Sequence, residues 1–444
     1  MKKVVKFGGS SLASAEQFMK VGAIIRADES RRYVVPSAPG KRFSDDTKVT
    51  DMLYHCYELA EQSKAFNKQL NQIKDRYNEI IYGLKLDLSL DEDFEIIKKQ
   101  FVAKAGSMYA ASRGEYLNGK IMAKYLGYEF VDAAQVVFFK ENGEFDAVKT
   151  NEVLGERLQN MENAVVPGFY GANPDGSIRT FSRGGSDITG SIVAKAVHAD
   201  VYENWTDVDG FMKCDPRIVS DPEVMELITY KELRELSYMG ANVLHPEAIF
   251  PVRKNDIPIH IRNTFNPDSK GTLIVPSKKF FSGAYERKES TVTGIAGKKD
   301  FIAINIEKSM MNNELGFARK VLEVIERNGM CVEHMPTGID TLSVIVDGSD
   351  HDEDALERIV EGIKTVCRPD TIDLDRNLAL IAIVGHGMSR KKGTATKVCS
   401  SLSEAEVNIR MIDQGSSELS ILVGVDSGEF QQAILAIYDE FVSE

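Results

Sequence analysis

The stretch Lys6-Phe7-Gly8-Gly9-Ser10-Ser11 places a cation, two glycines and two hydroxyls directly after a short apolar run. Glycine lets backbone N–H groups approach a phosphate closely, and a helix N-terminus adds partial positive charge. Ser14 and Gln17 give a capping-box signal for a helix that follows. The pattern predicts a strand, a turn and a helix around an anion site, with Lys6 as a cation for a transferred phosphoryl group. A simple tight turn is the alternative, since the spacing fits neither a P-loop nor a dinucleotide fingerprint.

A second glycine turn, residues 180–187, runs into another helical pattern and carries Arg183 and Asp187. A guanidinium offers planar paired donors that suit a carboxylate. The Asp187 carboxylate can serve a site, or it can only cap the helix. Glu115, in a helix predicted over residues 106–126, can pair with a substrate ammonium, or it can face water as most helix glutamates do.

Polar residues also follow the predicted strand 200–205, in the segments Thr206-Asp207-Val208-Asp209-Gly210 and Cys214-Asp215-Pro216-Arg217. The carboxyl ends of strands are where ligands bind in a doubly wound sheet. The turn 240–246 contains His245, which alone indicates a capped or buried histidine rather than a catalyst.

Composition narrows the class of protein. The chain has 444 residues, with 43% apolar and 27% charged residues and a net charge of −13, which argues against binding to nucleic acid or to an anionic membrane. Its 5 cysteines contain no C-x-x-C and its 7 histidines show no ligand spacing, so we expect reduced thiols in a cytoplasmic protein and no protein-held metal site. No stretch approaches the roughly 20 apolar residues of a membrane helix.

Strand-like and helical patterns alternate from the N-terminus to about residue 280. This alternation predicts an α/β sandwich around a largely parallel sheet, with residues 136–139 and 163–168 among its strands. Residues 61–105 are polar and amphipathic, and we expect a helical insertion with a solvated charged face. The composition of residues 281–299 predicts a linker.

The C-terminal part contains an internal repeat. Shifting residues 301–347 by 77 positions lays them on 378–424, with Gly316 on Gly393 and Val344-Ile345-Val346 on Ile421-Leu422-Val423. Each copy has the βαββαβ order of a ferredoxin-like module. We therefore expect modules at 300–376 and 377–444, acting as a regulatory pair or only as dimerisation modules.

The motifs at residues 6–11, 182–187, 206–208 and 240–246 together resemble the signatures of the aspartate kinase family, in their order and over nearly the whole chain. The resemblance implies an amino-acid-kinase domain at 1–280, a three-layer α/β/α sandwich, followed by two ACT domains. The similarity is to the monofunctional form, so we expect no homoserine dehydrogenase segment after residue 444. A homodimer through the ACT domains, or a tetramer, is expected.

The reaction implied by the resemblance is ATP plus L-aspartate giving ADP plus 4-phospho-L-aspartate, the first step toward lysine, threonine and methionine. The side-chain carboxyl group of aspartate, with an ordinary pKa of about 3.9, is already ionised at neutral pH, so it needs no general base. Two anions must instead be neutralised and aligned, with Mg²⁺ bridging phosphate oxygens.

Site roles follow from the same resemblance. Asp187 orients the catalytic Lys6, and the residues expected to bind aspartate are Ser37, Thr50, Glu115 (to the ammonium) and Arg183 (to the α-carboxylate). The residues expected to contact the nucleotide are Lys6, Gly8, Gly9, Ser10, Thr206, Asp207, Met212, Lys213, Arg217 and Asn242. Two of these depart from the family pattern, because Met212 replaces a common tyrosine and Asn242 a common lysine. Our hypothesis is that Lys213 supplies the missing charge.

An amino-acid effector site is implied in the first ACT domain, where Glu333 is placed to meet an ammonium. Its expected residues are Met311, Asn313, Glu314, Gly316, Phe317, Ala318, Val332 and Glu333. We expect inhibition by lysine, alone or with threonine. Two alternatives stay open: another carboxylate or carbamate kinase of this fold, and an amino-acid sensor whose kinase domain is inactive.

Overall fold

The computed structural model describes residues 1–182, 184–241, 244, 246–285, 290–349 and 353–442. The chain divides into two compact units. The first comprises Met1–Phe211, Val224–Tyr230 and Asn242–Glu286, and the second comprises Met212–Glu223, Lys231–Ala241 and Arg287–Glu444. Within the described ranges, none of the helices combines the length and the apolar character needed to cross a membrane.

Among the residues described before position 282, there are ten strands and ten α-helices. The strands are β1 Lys3–Phe7, β2 Arg31–Pro36, β3 Glu129–Phe130, β4 Ala164–Val165, β5 Tyr170–Ala172, β6 Ile178–Thr180, β7 Val201–Thr206, β8 Leu227–Thr229, β9 Ile259–Asn263 and β10 Thr272–Val275. The helices are α1 Ala15–Arg26, α2 Val49–Glu61, α3 Asn67–Gly83, α4 Asp91–Val102, α5 Ser107–Leu126, α6 Ala147–Gln159, α7 Gly185–Ala196, α8 Tyr230–Tyr238, α9 Pro246–Arg253 and α10 Ser277–Phe281.

Eight of these strands form one sheet in the order β3-β4-β2-β1-β7-β9-β10-β8. Strands β3 to β9 in that order are all parallel, and only the β9–β10 pairing is antiparallel. The predicted α/β fold with a largely parallel sheet is confirmed. Strand β1 lies in the middle and is buried on both faces, as expected for a strand covered by helices on both sides.

The helical insertion predicted at 61–105 forms α3 and α4. Their charged faces are exposed, but their apolar faces contribute Ile73, Tyr77, Phe94 and Phe101 to the core that includes Phe7 and Phe18. The insertion is therefore part of the main hydrophobic core of the first unit.

The prediction that residues 136–139 form a strand of the main sheet is wrong. Phe138 and Phe139 make only isolated bridges, to Ala172 and Phe145. The ring of Phe139 instead packs 4.9 Å from that of Phe181 (between ring centroids), so these apolar residues fill a small aromatic cluster rather than a strand position.

The second unit contains a five-stranded antiparallel sheet in the order β12-β11-β13-β15-β14. Its strands are β11 Gly294–Glu307, β12 Thr341–Asp347, β13 Thr371–Val384, β14 Met411–Asp413 and β15 Ser420–Asp426. Its further helices are α11 Phe317–Arg327, α12 Glu353–Cys367, α13 Thr394–Glu404 and α14 Phe430–Val442.

Strands β11 and β13 are each 14 residues long and serve both repeat copies. Residues 301–307 of β11 pair with β12 and with the first half of β13, whereas residues 294–298 pair with the second half of β13. Residues 294–299, for which the composition predicts a linker, therefore form the first part of a strand that lies beside the second copy.

The repeat is visible at matching positions. Gly316 and Gly393 precede α11 and α13 with φ values of 75° and 87°, a left-handed conformation that favours glycine. The last strand departs from the ungapped alignment, because Val346 pairs with Ile302 whereas the residue opposite Ala379 is Val425 rather than Val423. A shift of two keeps every side chain on its face, so the apolar pattern alone could not reveal the insertion.

Residues 212–223 belong to the second unit although they follow β7 directly in the chain. Cys214 and Val219 lie in the apolar core that contains Ile295 and Tyr438. The carbonyl of Lys213 accepts from the Ile295 N–H (2.7 Å), and the N–H of Glu223 donates to the Tyr438 hydroxyl (3.1 Å). This loop is therefore packed into the second repeat copy.

Candidate active site

Two buried side chains, Lys6 and Asn204, and the half-buried Asp187 form a cluster on one face of the sheet where β1 and β7 run side by side. Lys6 Nζ is 2.6 Å from Asp187 Oδ1 and 3.5 Å from Asn204 Oδ1, and Asn204 Nδ2 donates to the same Asp187 oxygen at 2.9 Å. Asp187 lies in the first turn of α7, whose N-cap is Gly184 with φ of 75°. The Asp187 side chain does not cap the helix, and it pairs with Lys6 as expected.

The turn after β1 leaves backbone donors free. Residues 10–12 form a single 3-10 turn, closed by bonds from Ser11 N–H to the Gly8 carbonyl and from Leu12 N–H to the Gly9 carbonyl. The amides of Gly9 and Ser10 find no acceptor among the residues that the structure describes. Ser14 then caps α1 by accepting from the Gln17 N–H at 3.4 Å. Two free amides beside Lys6 make a site for an anion.

The loop after β2 packs tightly against this turn. Gly40 N–H donates to the Gly9 carbonyl at 2.8 Å, and a methyl group placed on Gly40 would lie 2.5 Å from the Gly9 carbonyl carbon. A methyl group on Gly9 would lie 2.9 Å from the Ala38 carbonyl oxygen. Glycine is required at both positions because backbone meets backbone there.

Glu115 is buried and aimed at the same loop. It is 5% exposed, its carboxylate faces the backbone N–H of Ala38, and its Oε2 has no hydrogen-bond partner. Burial raises the pKa of Glu115 to about 8. The interpretation of Glu115 as a solvated helix residue is therefore wrong, and the unpartnered oxygen is available for a cationic ligand group.

Ser37 and Thr50 lie close to Glu115. Ser37 follows β2, with its N–H donating to the Phe7 carbonyl at 3.1 Å and its carbonyl accepting from Asn118 Nδ2 at 2.6 Å. Thr50 is in the first turn of α2, and a methyl group on Gly114 would lie 3.8 Å from its Oγ1 and 2.8 Å from the Ala38 Cβ. The structure thus brings Ser37, Thr50 and Glu115 together around one loop.

Thr206 and Asp207 end strand β7 beside the glycine turn. Asp207 Oδ2 is 3.5 Å from Ser10 Oγ, and Thr206 Oγ1 donates to Asp207 Oδ1 at 3.2 Å. The carboxyl ends of β1, β2 and β7 therefore meet at one edge of the sheet, where such folds bind ligands.

Three further residues that were predicted to contact the nucleotide belong to the second compact unit. Met212, Lys213 and Arg217 belong to the second unit, where Lys213 pairs with Glu223 (2.6 Å) and the exposed Arg217 pairs with Asp215 (2.6 Å). Arg183, Asn242 and His245 lie outside the described residues. Their expected roles stay predictions.

Most of the predicted effector residues lie at or just before the start of α11, whereas Val332 and Glu333 follow that helix. Met311 and Phe317 are buried, Asn313 and Gly316 are exposed, and Ala318 and Val332 are half-buried. Glu314 accepts from Lys308 (2.5 Å) and Lys320 (2.7 Å), and these bonds hold its pKa below the usual range. Burial raises the pKa of Glu333, and its N–H donates to the Ile345 carbonyl at 2.9 Å.

Asn204 is the member of the site that sequence reasoning missed. Its place depends on the register of two parallel strands, in which Lys6 lies directly opposite Asn204. A polar residue within an otherwise buried strand, aligned with the motif lysine, is the signal that could have identified it. In the described ranges, no group of three His, Cys, Asp or Glu residues is placed to hold a metal ion.

Known proteins resemble this chain in its individual domains and over nearly its whole length. Residues 1–263 match the amino acid kinase family and residues 381–441 match an ACT domain. The chain is 39% identical to aspartokinase 3 of Bacillus subtilis (strain 168), covering 99% of this chain and 98% of that protein. It is 28% identical to the chloroplastic aspartokinase 1 of Arabidopsis thaliana, covering 99% of this chain and 80% of that one.

Solved structures agree with these matches. The aspartate kinase of Clostridium acetobutylicum superposes with a TM-score of 0.89 at 48% identity, and each chain is covered completely. Aspartokinase III of E. coli, solved with aspartate and ADP, has the same fold with a TM-score of 0.71 at 23% identity over the full length of both chains. Because this similarity extends along nearly the whole chain, the protein belongs to the aspartate kinase family and is a phosphotransferase with a carboxyl group as acceptor.

Proposed function

We propose that this protein transfers the γ-phosphoryl group of ATP to the side-chain carboxylate of L-aspartate, giving ADP and 4-phospho-L-aspartate. The observation that carries the proposal is the unpartnered oxygen of the buried Glu115, which lies in α5 and faces the loop that packs against the Gly8–Gly9 turn. A buried carboxylate without a cationic partner is costly, and a substrate ammonium relieves that cost. Acceptors without an ammonium group leave Glu115 unpaired.

The chemistry needs positioning and charge neutralisation more than proton transfer. The acceptor carboxylate is ionised at neutral pH, so it attacks the γ-phosphorus directly and ADP leaves. Lys6 and the free amides of Gly9 and Ser10 offset the charge of the phosphoryl oxygens, and Asp187 holds Lys6 in place. Mg²⁺ would be supplied with the nucleotide substrate and would help to neutralise the charge of its phosphate groups.

Aspartate is expected to lie between this phosphoryl site and Glu115. Its ammonium meets Glu115, its α-carboxylate meets Arg183, and Ser37 and Thr50 line the space around its chain. Thr206, Asp207, Met212, Lys213, Arg217 and Asn242 are the proposed contacts to the rest of the nucleotide.

Regulation is proposed to act through the first ACT module. Lysine, alone or with threonine, binds near Glu333 and the start of α11 and inhibits the kinase by favouring a less active conformation. The product is proposed to feed the synthesis of lysine, threonine and methionine, and lysine and threonine are the expected effectors among these products. A homodimer formed through the ACT modules is the proposed assembly.

The test is ADP release with Mg-ATP and each candidate acceptor, with hydroxylamine present to trap an acyl phosphate. We expect hydroxamate from L-aspartate and none from glutamate or N-acetylglutamate, with suppression by lysine or by lysine and threonine together. Hydroxamate from N-acetylglutamate would point to the rival kinase class. No hydroxamate, together with a lysine-dependent rise in melting temperature, would identify a sensor without catalysis.

A further inference from the structure

Asn204 connects the two charged groups of the active site. It lies in strand β7 directly opposite Lys6 of β1, and it is 4% exposed. Parallel strands in this register direct both side chains to the same face of the sheet, which is the face that carries Asp187 on α7. The three side chains therefore share one small buried volume.

Both ends of the Asn204 amide are used within the cluster. Nδ2 donates to Asp187 Oδ1 at 2.9 Å, and Oδ1 faces Lys6 Nζ at 3.5 Å. An amide is a neutral group that offers a donor to an anion and an acceptor to a cation at the same time. Asn204 thus contacts both members of the ion pair without adding charge.

The Lys6–Asp187 pair needs a neutral partner because, without one, Asp187 competes with the phosphate of the substrate for the Lys6 ammonium. At 2.6 Å the two charges attract strongly in a medium of low dielectric, and Lys6 has to bind phosphoryl oxygens in place of part of that contact. The Asn204 N–H takes up acceptor capacity on the same Asp187 oxygen that Lys6 contacts. The Lys6 ammonium, which lies 3.7 Å from where a methyl group on Gly8 would be, stays at the turn that binds phosphate.

We propose that Asn204 is a positioning residue, which holds the Lys6 ammonium at the phosphoryl site by sharing the carboxylate of Asp187. This inference rests on the proposed function for its catalytic readout. Removing the amide should leave the Asp187 carboxylate to Lys6 alone, so that Asp187 holds Lys6 more strongly and the γ-phosphoryl group is less well neutralised. The effect should fall on turnover and on nucleotide affinity, and not on the affinity for aspartate.

The test compares Asn204→Ala with Tyr202→Phe. Tyr202 is two residues earlier on the same face of β7, fully buried, and its hydroxyl donates to the backbone carbonyl of Asp187 at 3.2 Å. Both variants lose one buried hydrogen bond to the same residue, but only Asn204→Ala removes the bond to the carboxylate. Asn204→Asp, which keeps the size of the side chain, is measured beside them.

We expect Asn204→Ala to lower kcat about 30- to 100-fold, as a misplaced catalytic group does, with the KM for aspartate within about twofold of wild type. Calorimetric titration with Mg-ATP should show affinity weakened about fivefold, the loss of part of one charge-assisted contact. Asn204→Asp should lose at least as much kcat, because it removes the donor and adds negative charge near the phosphoryl group. Tyr202→Phe should keep kcat within about threefold while its melting temperature falls as far as that of Asn204→Ala.

Equal kcat and equal Mg-ATP affinity in Asn204→Ala and Tyr202→Phe would overturn the inference, because Asn204 would then be only a packing residue. If Asn204→Ala does not fold, the same comparison is decided by Asn204→Asp. If the wild-type protein forms no hydroxamate but Asn204 variants alone weaken Mg-ATP binding, the proposed function fails and the positioning role stands. If the wild-type protein forms no hydroxamate and all variants bind Mg-ATP alike, both the proposed function and the positioning role of Asn204 are wrong.

Discussion

Burial sets the charge of Glu115 before any substrate arrives. With its pKa raised to about 8, this carboxyl group holds a proton at neutral pH, although a substrate ammonium can bind well only to the ionised form. Substrate binding therefore releases a proton, and the affinity for aspartate becomes a function of pH.

The dissociation constant for aspartate should fall as pH rises from about 6 to about 8, by up to tenfold per pH unit, and then level off. Calorimetric titrations in buffers of different ionisation enthalpy will count the proton released. Glu115→Gln should bind aspartate weakly and without this pH dependence. A flat profile in the wild-type protein would contradict the raised pKa or the contact with the ammonium.

The raised pKa of Glu115 also affects stability. Rising pH favours aspartate binding but lowers the stability of the ligand-free protein. Because the pKa of Glu115 in the folded protein lies above the ordinary glutamate value of 4.5, the folded protein binds more protons than the unfolded chain between about 4.5 and 8. The ligand-free protein should lose stability from this group as pH rises through that window. Melting curves of wild type and Glu115→Gln at pH 6 and pH 8 should show a smaller loss in the variant.

At the scale of elements, two loops after neighbouring strands create the phosphate site. Gly40 meets the backbone of Gly9, whereas a methyl group on Gly8 would lie 3.7 Å from both Lys6 Nζ and the Trp205 carbonyl oxygen, an ordinary contact distance. Gly40 is therefore required by close backbone packing, whereas Gly8 has room for a methyl group and leaves space for the approach of phosphate.

Gly40→Ala should destabilise the protein by about 1–3 kcal/mol, because the extra methyl group overlaps backbone that cannot move freely. Gly8→Ala should keep the melting temperature of wild type but raise the KM for ATP about tenfold, because its methyl group occupies the face that phosphate approaches. Thermal unfolding and steady-state kinetics of the two variants separate these effects. An equal loss of melting temperature in both would show that Gly8 is a packing glycine.

The loop 212–223 carries a further prediction, because it holds the proposed nucleotide residue Lys213. This ammonium is paired with Glu223 at 2.6 Å, and the pair is partly exposed. Lys213→Ala should raise the KM for ATP about tenfold, the loss expected for one charge-assisted contact to phosphate. Glu223→Gln, which frees Lys213 from its partner, should leave that KM unchanged or lower it. Unchanged KM and kcat in Lys213→Ala would remove Lys213 from the nucleotide site.

The sequence could predict the site residues that belong to local motifs, but not those whose place depends on contacts between distant segments. Lys6 and Asp187 lie beside glycine turns whose local pattern indicates a site, Lys6 in β1 and Asp187 in α7, and their ion pair agrees with that prediction. Asn204 needs the register of strands whose contacting residues are 198 positions apart, and no local pattern contains that. The apolar run at 136–139 wrongly predicts a sheet strand because periodicity does not distinguish a strand from a buried aromatic cluster.

At the scale of the whole molecule, the two compact units are interleaved in sequence. Residues 212–223 and 231–241 of the N-terminal part belong to the unit that holds the repeat, and Cys214 and Val219 are buried in its core. The periodicity of the sequence identifies the repeat. It does not reveal that residues 212–223 and 231–241 belong to the same unit as the repeat, because each of these short segments has the pattern of an ordinary loop or helix. A boundary near residue 280 in the sequence is therefore not a boundary between independently folding parts.

A chain ending at residue 286 should be poorly soluble or should melt without a cooperative transition. Cys214, Val219 and the loop around them would lose the strand Gly294–Glu307 and the helix Phe430–Val442 against which they pack. Circular dichroism melting of this truncation beside the full chain is the measurement. A cooperative melt with Mg-ATP affinity equal to that of the full chain would contradict the prediction.

The central claim is that phosphate is transferred to the side-chain carboxylate of aspartate, and reduction of the product tests it most directly. The protein is incubated with Mg-ATP and L-aspartate, and borohydride then reduces any acyl phosphate to the alcohol at the phosphorylated carbon. The account predicts homoserine, in an amount that matches ADP, and a loss of about 1000-fold or more in Lys6→Met, since Lys6 neutralises the transferred group. Formation of 3-amino-4-hydroxybutanoate would show transfer to the α-carboxylate, and ADP without either alcohol would show no aspartate phosphorylation; either result would contradict the account.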